Sequence, residues 1–310
     1  MKEFKISSAE EGQRLNKYLK RLMSLISDPF IFKMLRKKNI TVNGKSAKAG
    51  DILKEGDIVK IFFSDETFAR FCGEPDSEDL DIYKDAFGSL KGIRTVYEDD
   101  DMIVFFKPYG ILSQKASKED LSLNEYLIGY LLDNGRIDKT TLAHFRPSIM
   151  NRLDRNTQGL VMCSKSLKGA KTLSYLIRDR SIKKYYRTVC KGKIDKESTV
   201  TGFLIKDEKT NKVTVYEENR EGAKKIVTRM IPRRIEDDRT YTDIELITGK
   251  THQIRAHLAF IGHPVLGDTK YGDPSFNKKY DRYNQELTAY KLVFPSKCDI
   301  PGWNDLVIEV

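Results

Sequence analysis

The stretch Asn151-Arg152-Leu153-Asp154-Arg155-Asn156-Thr157-Gln158-Gly159-Leu160-Val161-Met162 sets an acid between two arginines, passes through a polar turn and ends in an apolar run. Polar residues followed by the run Leu160 to Cys163 predict a turn feeding a strand, with Asp154 just ahead of it. Guanidinium charge nearby favours the ionised carboxylate. In that form an aspartate serves as a nucleophile or a base. The structural alternative is a surface turn residue in an ordinary salt bridge.

Working outward, strand-like runs recur at Met102 to Phe106, Tyr185 to Cys190 and Thr240 to Ile247. One helix is expected after Ser166, with Leu167, Ala170, Leu173, Leu176 and Ile177 on its inner face. A second runs from about Gln253 to Ile261 and stops at Gly262, with Pro264 soon after. Hairpin-like strand spacing with interspersed helices predicts an α+β fold with a mixed, largely antiparallel sheet over residues 93–310.

Ahead of it, Ser64 to Gly92 holds 3 Lys or Arg against 8 Asp or Glu and predicts an acidic linker over 64–92. Such a linker would let a front module, residues 1–63, swing relative to the rest. In that module Arg14 to Lys60 carries 12 basic residues against 4 acidic ones. Leu15, Tyr18, Leu19 and Leu22 mark a short amphipathic helix. A second helix is expected after Asp28 as N-cap, with Pro29 in its first turn and Ile31, Met34 and Leu35 inward. Lys33, Arg36, Lys37 and Lys38 crowd its outer side, Asn43-Gly44 marks a tight turn beside Lys45, and Ile58 to Ile61 reads as a strand.

The chain as a whole has 310 residues, 39% of them hydrophobic, which is enough for real cores. Its net charge of +10 suits a polyanionic partner. No signal-peptide-like run opens it and no stretch approaches the roughly 20 apolar residues of a membrane span, so a cytoplasmic protein is expected. Cys72, Cys163, Cys190 and Cys298 are scattered, which suggests neither a disulfide framework nor a zinc ribbon. Nothing points to an obligate dimer, and a monomer is expected.

Residues 36–45, Arg-Lys-Lys-Asn-Ile-Thr-Val-Asn-Gly-Lys, with Gly50-Asp51 and Leu53-Lys54-Glu55-Gly56-Asp57, resemble the alpha-L RNA-binding domain of ribosomal proteins and RNA-modifying enzymes, over about residues 12–63. The resemblance implies phosphate contacts from Lys33, Arg36, Lys37, Lys38 and Lys45, which give affinity and salt dependence rather than sequence reading. A solvated basic face on a structural module is the alternative.

The opening stretch resembles the His-Arg-Leu-Asp-x-x-Thr-Ser-Gly-Leu-Leu signature of the pseudouridine synthases that modify large-subunit ribosomal RNA and some transfer RNAs. Three further segments fit the same family: Lys184-Tyr185-Tyr186-Arg187 onward to Gly192, Gly249-Lys250-Thr251-His252-Gln253-Ile254-Arg255 onward to Gly272, and, more weakly, Phe106-Lys107-Pro108-Tyr109-Gly110. The family implies a large sheet with a central cleft. It implies that Asp154 attacks the sugar's carbon 1 or takes the proton from its 2′ carbon, that Arg255 pairs with that carboxylate, and that Tyr186 stacks near the uracil and relays the proton lost from carbon 5. Arg152 would support the flipped-out nucleotide or meet a phosphate. An isomerisation without redox change needs no cofactor. The front module favours ribosomal RNA as the partner.

Ile254, Leu258 and Ile261 are expected in the core. His252 and His257 are five apart, which does not place them on one helix face, so no metal is expected. Three positions depart from the family: Asn151 replaces a histidine, Gln158 a serine, and Thr288 stands where a histidine is common. A non-catalytic RNA-binding or ribosome-assembly factor on the same scaffold is the competing reading, and retention of Asp154, Tyr186 and Arg255 argues against it. A zinc-dependent deaminase would need the His-x-Glu and Pro-Cys-x-x-Cys pattern that the chain lacks.

Overall fold

The computed structural model describes residues 1–310 except 7–9, 73–76 and 209. The front domain is built from β1 (Lys2–Lys5), α1 (Leu15–Leu22), α2 (Asp28–Arg36), β2 (Ile40–Val42), β3 (Lys45–Ser46) and β4 (Ile58–Ile61). Its sheet runs β1-β4-β2-β3. The helical spacing is borne out: α1 buries Leu15, Tyr18, Leu19 and Leu22, and α2 buries Ile31, Met34 and Leu35. Asn43 and Gly44 both take left-handed backbone, φ 52° and 72°, which is the geometry of the tight turn between β2 and β3. Asp28 is the first residue of α2 rather than its cap; Ser27 holds the N-cap position, and Asp28 pairs with Lys20 at 2.6 Å.

The acidic segment, expected as a linker, is largely helical among the described residues. It contains α3 (Asp65–Cys72) and α4 (Ser77–Ser89), each packed on a different neighbour. Phe68 of α3 joins the front core and stacks on Phe4, with centroids 5.7 Å apart. Leu80 and Tyr83 of α4 cluster with Ile128 and Leu142 of the back domain, while Asp81 and Asp85 face solvent. Beneath the charge, Leu80, Tyr83, Ala86 and Phe87 follow helical spacing. Asp81 and Asp85 thus lie on the outer face of a docked helix, while Glu74 and Asp76 of the acidic run lie outside the described residues.

The back domain continues with β5 (Arg94–Glu98), β6 (Met102–Lys107), α5 (Leu123–Asp133), α6 (Lys139–His144), β7 (Ser148–Ile149), β8 (Gln158–Ser164), α7 (Leu167–Arg178) and β9 (Lys183–Lys191). Then come β10 (Ser198–Asp207), β11 (Lys212–Tyr216), β12 (Lys224–Glu236), β13 (Arg239–Leu246), α8 (Gln253–Phe260), α9 (Pro274–Lys279), β14 (Leu287–Val293) and β15 (Val307–Glu309). Eleven strands form one sheet in the order β11-β10-β12-β13-β9-β14-β8-β6-β5, with β15 on β14 and β7 on β8. Among the described residues its pairs are antiparallel except β8 with β14. The fold is the α+β architecture expected. At the parallel seam Gly159 has φ 125°, and a Cβ there would run into the backbone of Ala289. That close approach explains the glycine in the Asp154 stretch.

Both faces of the central strands are covered. Ile103, Phe105, Val161 and Cys163 pack toward α5 and α8, whereas Met102, Val104, Leu160 and Met162 pack toward α7 and Trp303. This two-sided burial is why these strands read as continuous apolar runs. Helix α5 lacks an amphipathic signal for the same reason: it buries Leu123, Tyr126, Leu127, Ile128 and Leu131, and Gly129 lies directly against the Tyr83 backbone of α4. Tyr186, Ile254 and Leu258 share the α5 and α8 side of the sheet.

Candidate active site

The loop between β7 and β8 places Asp154, with the Thr157 N–H closing the turn onto the Asp154 carbonyl at 3.0 Å. Neighbours on both sides of the acid are held. Ser113 Oγ donates to the Leu153 carbonyl at 2.8 Å and accepts the Leu153 N–H at 3.0 Å. The fully buried Lys107 donates through Nζ to the carbonyls of Arg155, Pro108 and Ile111, at 3.1, 3.0 and 2.8 Å. Burial pulls its ammonium down to about 8, against the opposing charge of Asp154. Asn151 ties the same loop to β8, accepting the Met162 N–H at 2.7 Å and donating to the Leu160 carbonyl at 3.3 Å.

Neither flanking arginine pairs with Asp154. Arg155 donates to the Gly110 carbonyl at 3.0 Å, and Arg152 is exposed without an ion pair among the described residues. The partner is Arg255 on α8, whose Nη1 donates to Asp154 Oδ2 at 2.8 Å. The two-pronged contact of this guanidinium goes elsewhere: Nε and Nη2 donate to Asp268 Oδ2 and Oδ1 at 2.6 and 3.0 Å. Asp268 is completely buried and also accepts the N–H groups of Lys270 and Tyr271 at 2.8 and 3.0 Å. Burial opposes the charge of both partners, yet their mutual contact outweighs it, raising Arg255 and lowering Asp268. The guanidinium carbon sits 5.2 Å from the Tyr271 ring centroid. One buried carboxylate therefore aims the arginine, and its remaining donor faces the other.

Tyr186 lies on β9, between Ile244 of β13 and Ala289 of β14. Burial first, and the charge of Asp154 second, push its phenol well above the ordinary value, so it stays protonated. The two histidines part company. His252 Nδ1 meets the Tyr271 hydroxyl at 2.8 Å and its Nε2 is 3.9 Å from Asp154 Oδ2. His257 Nδ1 meets Thr228 Oγ1 of β12 at 3.0 Å, and its buried Nε2 has no partner among the described residues.

Burial holds the His257 imidazole down at about 4. The unfolded chain, with an ordinary value of 6.5, takes that proton more readily, so stability is kept above pH 6.5 and lost as the pH falls toward 4. Denaturant midpoints measured across this range are expected to fall less steeply in His257→Gln than in the wild type. Equal slopes would assign the acid sensitivity to another group.

The departures from the family pattern find partners. Gln158 Nε2 donates to Thr288 Oγ1 at 3.0 Å, across the parallel seam where these two residues are in register. Two unusual side chains satisfy each other. In the front domain Lys33, Arg36, Lys37, Lys38 and Lys45 are all exposed, with no ion pair among the described residues. Sequence reasoning missed Asp268, Lys107 and Ser113 as supports of the site. Asp268 and Lys107 lay inside quoted motifs, whereas Ser113 carries no signal of its own.

A family model described as RNA pseudouridylate synthase matches residues 101–260, and one for the S4 domain matches residues 13–59. The ribosomal large subunit pseudouridine synthase C of Rickettsia felis is 34% identical over 279 residues, covering 88% of this chain and 85% of that protein. An uncharacterised RNA pseudouridine synthase of Mycoplasma genitalium is 30% identical over 300 residues, covering 94% and 89%. Human RNA pseudouridylate synthase domain containing 4 shares the fold, with a TM-score of 0.57 at 20% identity over 75% of this chain and 92% of its own. With the match spanning the strand and loop that carry Asp154, the helix that carries Arg255, and an S4 domain in front, the chain belongs to the RNA pseudouridine synthase family.

Proposed function

We propose that this synthase isomerises uridines of large-subunit ribosomal RNA, that Asp154 carries the chemistry, and that no cofactor takes part. The observation behind the reading is the 2.8 Å pair between Arg255 and Asp154, on a loop clamped at residues 153 and 155. A preorganised carboxylate of this kind needs no rearrangement before it acts. The target nucleotide must leave its stack to reach it. Asp154 then attacks carbon 1 of the sugar or removes the proton from its 2′ carbon, and Arg255 holds the carboxylate in place and in charge. Tyr186, held as a neutral phenol, stacks near the uracil and relays the carbon 5 proton, directly or through water. Arg152, unpaired and exposed beside the acid, meets a phosphate or supports the flipped nucleotide.

Large-subunit RNA is supported by the names of relatives that align along most of the chain, and by the free basic side chains of the front domain. We place the working protein in the cytoplasm as a monomer; among the described residues no helix is long and apolar enough to cross a membrane. The division of labour is an RNA-binding front domain, residues 1–63, and a catalytic domain, residues 93–310, extended by α4.

The front domain's role is tested by replacing Lys33, Arg36, Lys37, Lys38 and Lys45 with glutamine. If all five meet phosphates, the slope of log affinity against log salt is expected to shrink by roughly 3.5–4.5. The rate at saturating RNA should be kept. An unchanged slope would mean that these residues are only a solvated face.

A further inference from the structure

We infer that His252 is a substrate-facing hydrogen-bond donor of this site, its Nε2–H directed at the uracil that separates from the sugar beside Asp154. The inference rests on the Asp154 reading and adds to it a residue outside the Asp154, Tyr186 and Arg255 set.

Three observations on the structure carry it. The Tyr271 hydroxyl oxygen already accepts the Val213 N–H at 2.9 Å, and the His252 Nδ1 at 2.8 Å is the acceptor available to its O–H among the described residues. In the tautomer that gives the Tyr271 O–H this acceptor, Nδ1 accepts and the neutral ring carries its proton on Nε2. That nitrogen lies 3.9 Å from Asp154 Oδ2, beyond hydrogen-bond reach, and has no other partner among the described residues although it is not sealed from solvent. Its donor is therefore unspent in the ground state and sits at the reacting carboxylate. Finally, His252 takes left-handed backbone, φ 51° and ψ 18°, at the start of α8, an uncommon conformation for a residue other than glycine. It aims the ring across at Tyr271, edge to face, with centroids 5.5 Å apart.

Burial is the first influence on the ring and favours the neutral form, as do the charges of Arg255 and Lys270; Asp154 and Asp268 act the other way. A neutral N–H donor suits the chemistry. When the bond between sugar carbon 1 and uracil nitrogen 1 breaks, its electron pair stays on the uracil and spreads to the two carbonyl oxygens. Asp154 meanwhile gains a bond to carbon 1 or the proton from the 2′ carbon. His252 donates to a carbonyl oxygen of that anion and keeps its own proton throughout, so the uracil is held while it turns. Carbon 5 then bonds to carbon 1 as Asp154 leaves carbon 1 or returns its proton to the 2′ carbon, the carbon 5 proton departs to solvent, and nitrogen 1 takes up a proton from solvent.

The test compares wild type, His252→Phe, His252→Gln and Asp154→Asn by single-turnover tritium release from ribosomal RNA labelled at carbon 5 of uridine, with RNA affinity and unfolding midpoint measured on each. The ring-shaped variant without a donor is expected to be about 100-fold slower at nearly unchanged affinity, the usual loss of one charge-stabilising donor. Glutamine, whose amide N–H reaches a similar place, should recover at least a tenth of the wild-type rate. If His252→Phe turns over as fast as the wild type, or if both variants fold, bind and are equally slow, the donor role is wrong. Should the phenylalanine variant unfold, the glutamine variant decides alone: a rate no better than one hundredth of wild type from folded protein overturns the inference. Failure of the Asp154 reading is separately visible, as release by Asp154→Asn.

Discussion

Arg255→Ala is expected to lose on the order of 3–5 kcal/mol of folding stability along with its turnover, because the residue does two jobs. Its Nη1 serves Asp154, but its fork satisfies Asp268, whose side chain is completely buried. Truncation strands that second carboxylate without a counter-charge. The sequence alone suggests a loss of rate far larger than any loss of stability, since it shows one arginine and one acid. The two jobs separate in a pair of variants. Arg255→Met with Asp268→Leu removes both charges together and should recover much of the stability with none of the activity, since paired buried charges exchange for apolar groups at little net cost. Arg255→Lys should fold more nearly as the wild type does yet turn over slowly, because one ammonium cannot fork to Asp268 and reach Asp154 as well. Urea unfolding and single-turnover rates on the same preparations check both. A wild-type midpoint for Arg255→Ala would contradict the buried pair.

What could be read in the sequence follows from what burial does to pattern. Helices α1, α2 and α7 each bury one face, so their apolar spacing was visible at Leu15 to Leu22, Ile31 to Leu35 and Leu167 to Ile177. Helix α5 is enclosed by the sheet and α4, and periodicity disappears when nearly every side is inside. In α4 the acidic outer face outweighed Leu80, Tyr83 and Phe87 beneath it, and the segment read as a linker. Strand β1 has little pattern of its own and exists by pairing with β4. At the site, Asp154, Tyr186 and Arg255 were legible because they fall in motifs, and the ion pair joins two of them. What stayed hidden were contacts between distant segments: Asp268 beneath Arg255, Ser113 on Leu153, and Gln158 on Thr288. No local rule predicts which carbonyl a buried serine or lysine will meet.

Asp154→Asn carries the second large effect. The amide nearly matches the carboxylate in shape and keeps an oxygen for Arg255, so folding and RNA affinity should change little. It offers neither a nucleophilic carboxylate nor a base, and a reaction that depends on either stops. Loss of an essential catalytic carboxylate costs roughly 10⁴-fold or more, by comparison with other enzymes in which a member of the reacting set is removed. The arginine beside it makes the expectation sharper: Arg255 keeps its fork on Asp268, so the variant loses the chemistry and little else.

The most direct measurement is therefore tritium release from large-subunit ribosomal RNA, small-subunit ribosomal RNA and transfer RNA labelled at carbon 5 of uridine, in chelator and without added cofactor, by wild type and Asp154→Asn side by side. The account predicts release by the wild type, from the large-subunit RNA first, and none by the variant although it binds the same RNA equally well. Release by Asp154→Asn at a rate near that of the wild type would contradict it.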